Sequence, residues 1–245
     1  MSEIKSTRHQ KILNITFIGV FAALSYIVLA VLFIPFANMY IHFGNLVVVL
    51  AALLVGGWQG GLAGSVGMGL FDMLNGHIDS APKTFLLKFL IGLTVGIVFS
   101  LLSSRKKFPS TALLISGIIS LLISASLLTY IIAHTGAYKG KSAILFPLFL
   151  VIGVLLIVFS VLKNKFSSKT ASAIIAACAG MAVNLIGETL WKVVTYALAG
   201  SSLSAAFISA ALGQASTLIN AGIAIIGGVA LFKALEKPFN KILSK

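Results

Sequence analysis

The chain has 245 residues, 59% of them hydrophobic and only 9% charged, with mean hydropathy +1.09 and a formal net charge of +13. A soluble domain carries roughly a quarter charged residues, and none of this length hides so much apolar surface, so a cytosolic enzyme, a disordered tail and a disulfide scaffold are excluded. The charge does not mark a nucleic-acid binder, because the basic residues fall in short clusters between apolar runs rather than on one face.

An all-α polytopic membrane protein remains. A spanning helix needs about 20 mostly apolar residues. The first such run is Ile12–Ile34, closed by Pro35. Phe36–Asn45, aromatic and polar, reads as a loop. Leu46–Val55 and Gly60–Leu74 are short runs parted by Gly56-Gly57-Trp58, the second with glycine at 60, 61, 64, 67 and 69. Small residues let backbones approach closely, which predicts a tight helical hairpin. Asn75–Lys83 is rich in turn residues. Thr84–Leu102 is the next span and ends before Arg105, Lys106 and Lys107. Thr111–Ala133 and Ala143–Leu162 follow, joined by HTGAYKGKS. Thr170–Ala199 and Ala205–Leu235, with a short turn between them, bring the expectation to eight spans. Continuous rather than alternating runs argue against a β-barrel. No soluble domain is evident, so residues 1–245 read as a single transmembrane domain.

With both termini inside, 13 of the 18 basic residues lie on the cytoplasmic side. They are Lys5, Arg8, Lys11, Arg105, Lys106, Lys107, Lys163, Lys165, Lys169, Lys233, Lys237, Lys241 and Lys245. Only Lys83, Lys139 and Lys141 fall outside. This satisfies the positive-inside rule, and the inverse does not.

Charge inside a bilayer costs about 2.5–3.5 kcal/mol on insertion scales, so each intramembrane charge needs a reason. Asn184, Glu188, Lys192 and Tyr196 recur every four residues and form a polar stripe on one helix, in its outer half. Gln214, Thr217 and Asn220 fall at similar depth on the last span. Asp72 and Lys88 lie near the outer ends of their own helices. The loops on that side add Tyr40, His42, Asn45, His77 and Asp79. Together these residues describe a polar cavity open to the outside, with apolar walls and a few placed polar groups. Plainer readings stand beside this one. Glu188 and Lys192 suit a structural helix pair, Asp72 a helix end, Lys83 and Lys88 snorkelling to headgroups, and the two histidines solvated loops. Trp58 suits an interfacial anchor. There is no GxxxxGK[ST] loop, no HExxH and no Cys/His cluster, and the lone Cys178 forms no intramolecular disulfide. The expectation is a transport protein with no enzymatic activity, no metal and no cofactor.

The stretch YIHFGNLVVVLAALLVGGWQGGLAGSVGMGLFDML (Tyr40–Leu74), continued by NGHIDSAPKTFLLKFLIGLTVGIV (Asn75–Val98), resembles the S components of energy-coupling factor (ECF) transporters. It is most similar to the riboflavin-type group, which includes hydroxymethylpyrimidine and pyridoxine carriers. The resemblance covers residues 12–100 well and the last two helices loosely. It implies a six-helix membrane protein that binds a vitamin or precursor in an outward-facing pocket. Such a protein docks on an ECF transmembrane subunit with two cytoplasmic ATPases. It implies a docking surface of small residues on the first helix, here Gly19, Ala22 and Ala23. Two spans exceed six, which makes 110–163 an inserted hairpin between core helices within 12–102 and 170–235. The residue types favour a pyridoxine- or hydroxymethylpyrimidine-like ring, with riboflavin also compatible. The competing expectation is an ion-coupled secondary transporter that works alone.

Overall fold

The computed structural model describes residues 2–36, 39–104, 110–133 and 168–243, with isolated positions between 153 and 161. In chain order these form α1 (Ser2–Val31), β1 (Phe33–Phe36), β2 (Met39–His42), α2 (Gly44–Val55), α3 (Gly57–Leu74), a 3₁₀ turn (Ile78–Ser80), α4 (Ala81–Ser103), α5 (Ser110–Ala133), α6 (Ser168–Leu198), α7 (Leu203–Leu212) and α8 (Ala215–Leu243). Among the described residues, four segments are long and apolar enough to cross a membrane: Gln10–Val31, Ile78–Ser103, Ser168–Leu198 and Ser216–Ile242. The expected span Ala143–Leu162, apart from those isolated positions, and the basic clusters at 105–107 and 163–165 lie outside the described residues.

Three expectations change. The loop after the first span is an antiparallel β-hairpin that takes Phe33 and Ile34 from the expected helix, with Pro35 opposite Tyr40 and Phe33 opposite His42. Phe33, Ile34, Phe36, Tyr40 and Ile41 are aromatic or β-branched types that suit a strand, and Pro35 stops the helix. The last run, Ala205–Leu235, is two helices broken at Gly213 and Gln214. The short run at 46–55 is a helix of 12 residues, about 18 Å at 1.5 Å per residue, against a hydrocarbon core of about 30 Å. Residues Val47–Leu53 of α2 are all buried, as expected of a helix apolar on every face.

The chain divides into two compact units: residues 1–104, 172–187 and 215–245, and residues 105–171 and 188–214. In the first, α3 packs against α1, α2 and α4, while α2 packs against α4 and α8. Gly56, at φ 100°, supplies the left-handed turn between α2 and α3. The α3–α4 contact is backbone on backbone. A Cβ on Gly92 would strike the main chain of Gly61, and one on Gly96 the main chain of Gly57. These two pairs, each four residues apart, make one reciprocal GxxxG crossing. At the far end of α8, Phe239 packs on Phe17 of α1 with ring centroids 4.7 Å apart, and Phe232 meets Phe99 of α4 edge-on at 5.3 Å.

In the second unit, Val193, Ala206 and Ala210 form a small buried cluster. The Lys192 Nζ donates to the Gly213 carbonyl at 2.9 Å. That bond occupies a carbonyl at the break after α7, where glycine leaves the chain end uncrowded by a side chain.

Candidate ligand site

The hairpin is tied to α8 by one side chain. Asn220 Oδ1 accepts from the His42 backbone N–H at 2.9 Å, and Asn220 Nδ2 donates to the Tyr40 carbonyl at 3.1 Å. Both His42 N–H and Tyr40 C=O therefore leave β2 on the edge away from β1, so by strand alternation Met39 and Ile41 carry the ladder to β1. Pro35, opposite Tyr40, then sits where a strand needs no N–H for the ladder. The Tyr40 ring is half-exposed and packs edge-on against Phe33 at 5.6 Å.

Beyond β2 the chain enters α2 through Phe43, whose side chain offers no cap. The His42 Nδ1 accepts from the Gly44 N–H at 3.3 Å instead and so satisfies one free donor of the helix start. Gly44 is closed in by Met68 of α3, which a Cβ there would meet at 2.8 Å. Asn45 follows, only 1% exposed, and its Oδ1 has no hydrogen-bond partner.

A second polar contact lies between α4 and α6. Lys88 is 4% exposed and Asn184 2%, and the Lys88 Nζ donates to Asn184 Oδ1 at 3.1 Å. Gly187 of α6 receives Leu87 one turn away, and Gly180 receives Ile91 and Val95 on the other side. The lysine therefore does not snorkel; its amine is held inside a close helix contact. A third contact joins α3 to α4, where Thr84 Oγ1 donates to Asp72 Oδ2 at 2.5 Å.

The sequence-predicted residues fall in both units. Tyr40, His42, Asn45, Asp72, Lys88, Asn184 and Asn220 belong to the first unit. Glu188, Lys192 and Gln214 belong to the second, where Gln214 is buried with Oε1 unpartnered and Nε2 on the Ala210 carbonyl. His77 and Asp79 lie on the exposed 3₁₀ turn and its approach. Thr84 is a polar partner that sequence reading missed. Nothing in its spacing from Asp72 marks it, because the contact depends on how α3 and α4 cross. Among the described residues no group of three or more His, Cys, Asp or Glu side chains is placed to hold a metal.

On α1, Gly19 and Ala23 are exposed, and a Cβ on Gly19 would meet nothing within 4 Å. They line an apolar groove of about 440 Å³ between α1 and α3 with Tyr26, Ile27, Val66 and Leu70. Ala22 is buried, with its carbonyl against Gly67 of α3.

Long apolar helices around buried polar groups define a multi-pass membrane protein. The family model for the S component of ECF-type riboflavin transporters matches residues 9–152, more than half of the chain, and the chain belongs to this family. No curated protein and no solved structure matches it. It is accordingly a vitamin-type substrate-binding subunit of an ECF transporter in the plasma membrane, and not an enzyme. S components in general work with ECF transmembrane and ATPase partners. The matched stretch includes α5, which the sequence reading assigns to an inserted hairpin.

Proposed function

We propose that this chain binds a heteroaromatic vitamin or vitamin precursor with high affinity at the outer end of its first unit, under the β1–β2 hairpin. The observation that carries this reading is Asn45: a buried Oδ1 without a partner, at the root of the hairpin. Leaving such an acceptor unmade costs about 1–3 kcal/mol, which a ligand N–H or O–H would recover. The Lys88 amine, with Asn184, supplies the opposite chemistry, a donor for a ring carbonyl or ring nitrogen. Tyr40 and His42 sit on the hairpin above, and Asp72 with Thr84 buttresses α3 on α4. A ring edge that offers both a donor and an acceptor fits this set. Pyridoxine and hydroxymethylpyrimidine have one, and riboflavin, the vitamin of the family's name, has one in its imide.

The partners in this reading are an ECF transmembrane subunit and two cytoplasmic ATPases, docked through the groove at Gly19 and Ala23. The small residues there would admit a partner helix at close range. The core would comprise α1–α4 and α6–α8, with 110–163 an added hairpin.

The test is native mass spectrometry of the gently purified chain, followed by thermal unfolding with riboflavin, pyridoxine and hydroxymethylpyrimidine. A ligand at 100 times its Kd stabilises by about 2.7 kcal/mol. A retained vitamin mass, or one such stabilisation, supports the reading. An empty chain that ignores all three, yet drives uptake alone on an ion gradient, would establish the stand-alone transporter instead.

A further inference from the structure

Asn220 of α8 makes two hydrogen bonds, both to the backbone of β2. It accepts from the N–H of residue 42 and donates to the C=O of residue 40, bracketing Ile41. A neighbouring parallel strand would offer the same pair of groups to the same two atoms. A two-stranded hairpin is marginally stable by itself, and its free edge exposes unpaired N–H and C=O groups. Here the edge is met by a helix, through a single carboxamide. Asn220 is only 5% exposed, so water does not compete for these bonds. The geometry needs asparagine in particular. Aspartate keeps the acceptor but loses the donor, and would place a carboxylate against the Tyr40 carbonyl. Glutamine keeps both groups but sets them one methylene further from α8.

We infer that Asn220 is a positioning residue which completes the hairpin as one residue of a third strand, and that this clamp sets how fast the hairpin lifts and bound ligand leaves. The second half rests on the proposed ligand site under the hairpin. The first half does not. Asn220 acts through Tyr40 and His42: it fixes the backbone that carries them and, through His42 Nδ1, the start of α2 that leads to Asn45.

The experiment compares the full-length chain with Asn220→Ala, Asn220→Asp and Asn220→Gln in the same detergent. The clamp is read by hydrogen exchange at the His42 amide. It is read again by the reaction of a water-soluble maleimide with the thiol introduced by Asn45→Cys in a Cys178→Ser background. Ligand release is read with riboflavin as the probe, separating association from dissociation. Asn220→Ala should speed both His42 exchange and maleimide labelling at position 45 at least tenfold. Riboflavin dissociation should rise on the order of tenfold with association nearly unchanged, and helix content should stay intact. Asn220→Asp should fall between the wild type and alanine in exchange. Unchanged exchange and labelling in Asn220→Ala would overturn the clamp. Faster exchange with unchanged riboflavin dissociation would overturn its control of release. If the wild-type chain binds no riboflavin, the ligand assignment fails separately, and exchange and labelling still decide the clamp. If Asn220→Ala does not fold, the aspartate and glutamine variants carry the same comparison.

Discussion

Lys88 of α4 donates its amine to Asn184 of α6 at 3.1 Å, with both side chains almost wholly out of contact with solvent. A lysine in that setting is held by its acceptors. Hydrogen bonds to charged groups contribute about 1.5–3 kcal/mol, so Asn184→Ala should destabilise the chain by roughly that amount. Lys88→Met combined with Asn184→Leu should cost less than Asn184→Ala alone, because both members of the buried polar pair are then replaced together by apolar groups. Unfolding in a constant detergent, run as a double-mutant cycle, checks this. Equal losses in the single and double variants would contradict it.

Asn45 gives a prediction with opposite signs for stability and binding. Its Oδ1 is buried and unpartnered. Asn45→Leu removes that unsatisfied acceptor, so the ligand-free protein should gain on the order of 1 kcal/mol. The same variant should lose the thermal shift produced by whichever vitamin stabilises the wild type. A variant that is less stable yet still shifts would show that Asn45 does not face the ligand.

The Gly92–Gly96 and Gly57–Gly61 crossing leaves no room for a methyl group. Gly96→Ala should push α4 off α3 and lower the melting temperature strongly, by about 1–3 kcal/mol of overpacking. Gly222→Ala, inside α8 with nothing within 4 Å of its Cβ, should instead be neutral or gain up to about 1 kcal/mol from helix propensity. Scanning calorimetry of the two variants separates close packing from a general intolerance of side chains at glycine.

Gly19 and Ala23 line the open groove on α1, away from the polar contacts. Gly19→Leu with Ala23→Leu should leave vitamin binding and melting temperature unchanged while abolishing co-purification with the transmembrane subunit and ATPases. Co-purification at wild-type yield would remove this face as the docking surface. Ala22, buried against α3, is excluded from that test because a leucine there would disturb the fold first.

Much of this protein was legible in its residues. Hydropathy and charge clusters determined that it is helical and membrane-embedded, because apolar runs and basic loops report on the bilayer without reference to any neighbour. The glycine run at 60–69 marked the close packing of α2 and α3, because it depends on side-chain size alone. The run Tyr40–Val98 pointed to the S-component family that the matched stretch 9–152 shows. Tertiary structure decided what each polar residue touches. Asn220 read as a pocket residue, yet both hydrogen bonds it makes go to the hairpin backbone. Asp72 read as a cavity residue or a helix end; it lies in the last turn of α3 and accepts from Thr84 across the α3–α4 crossing. Asn184, Glu188 and Lys192 formed one stripe by spacing and lie on one helix; the structure adds that Asn184 accepts from Lys88 of α4 and that Lys192 donates to the Gly213 carbonyl. Periodicity says which residues share a helix face. It does not say which neighbour that face meets, because partners here lie up to 180 residues apart and are brought together only by helix crossings that depend on the whole packed bundle.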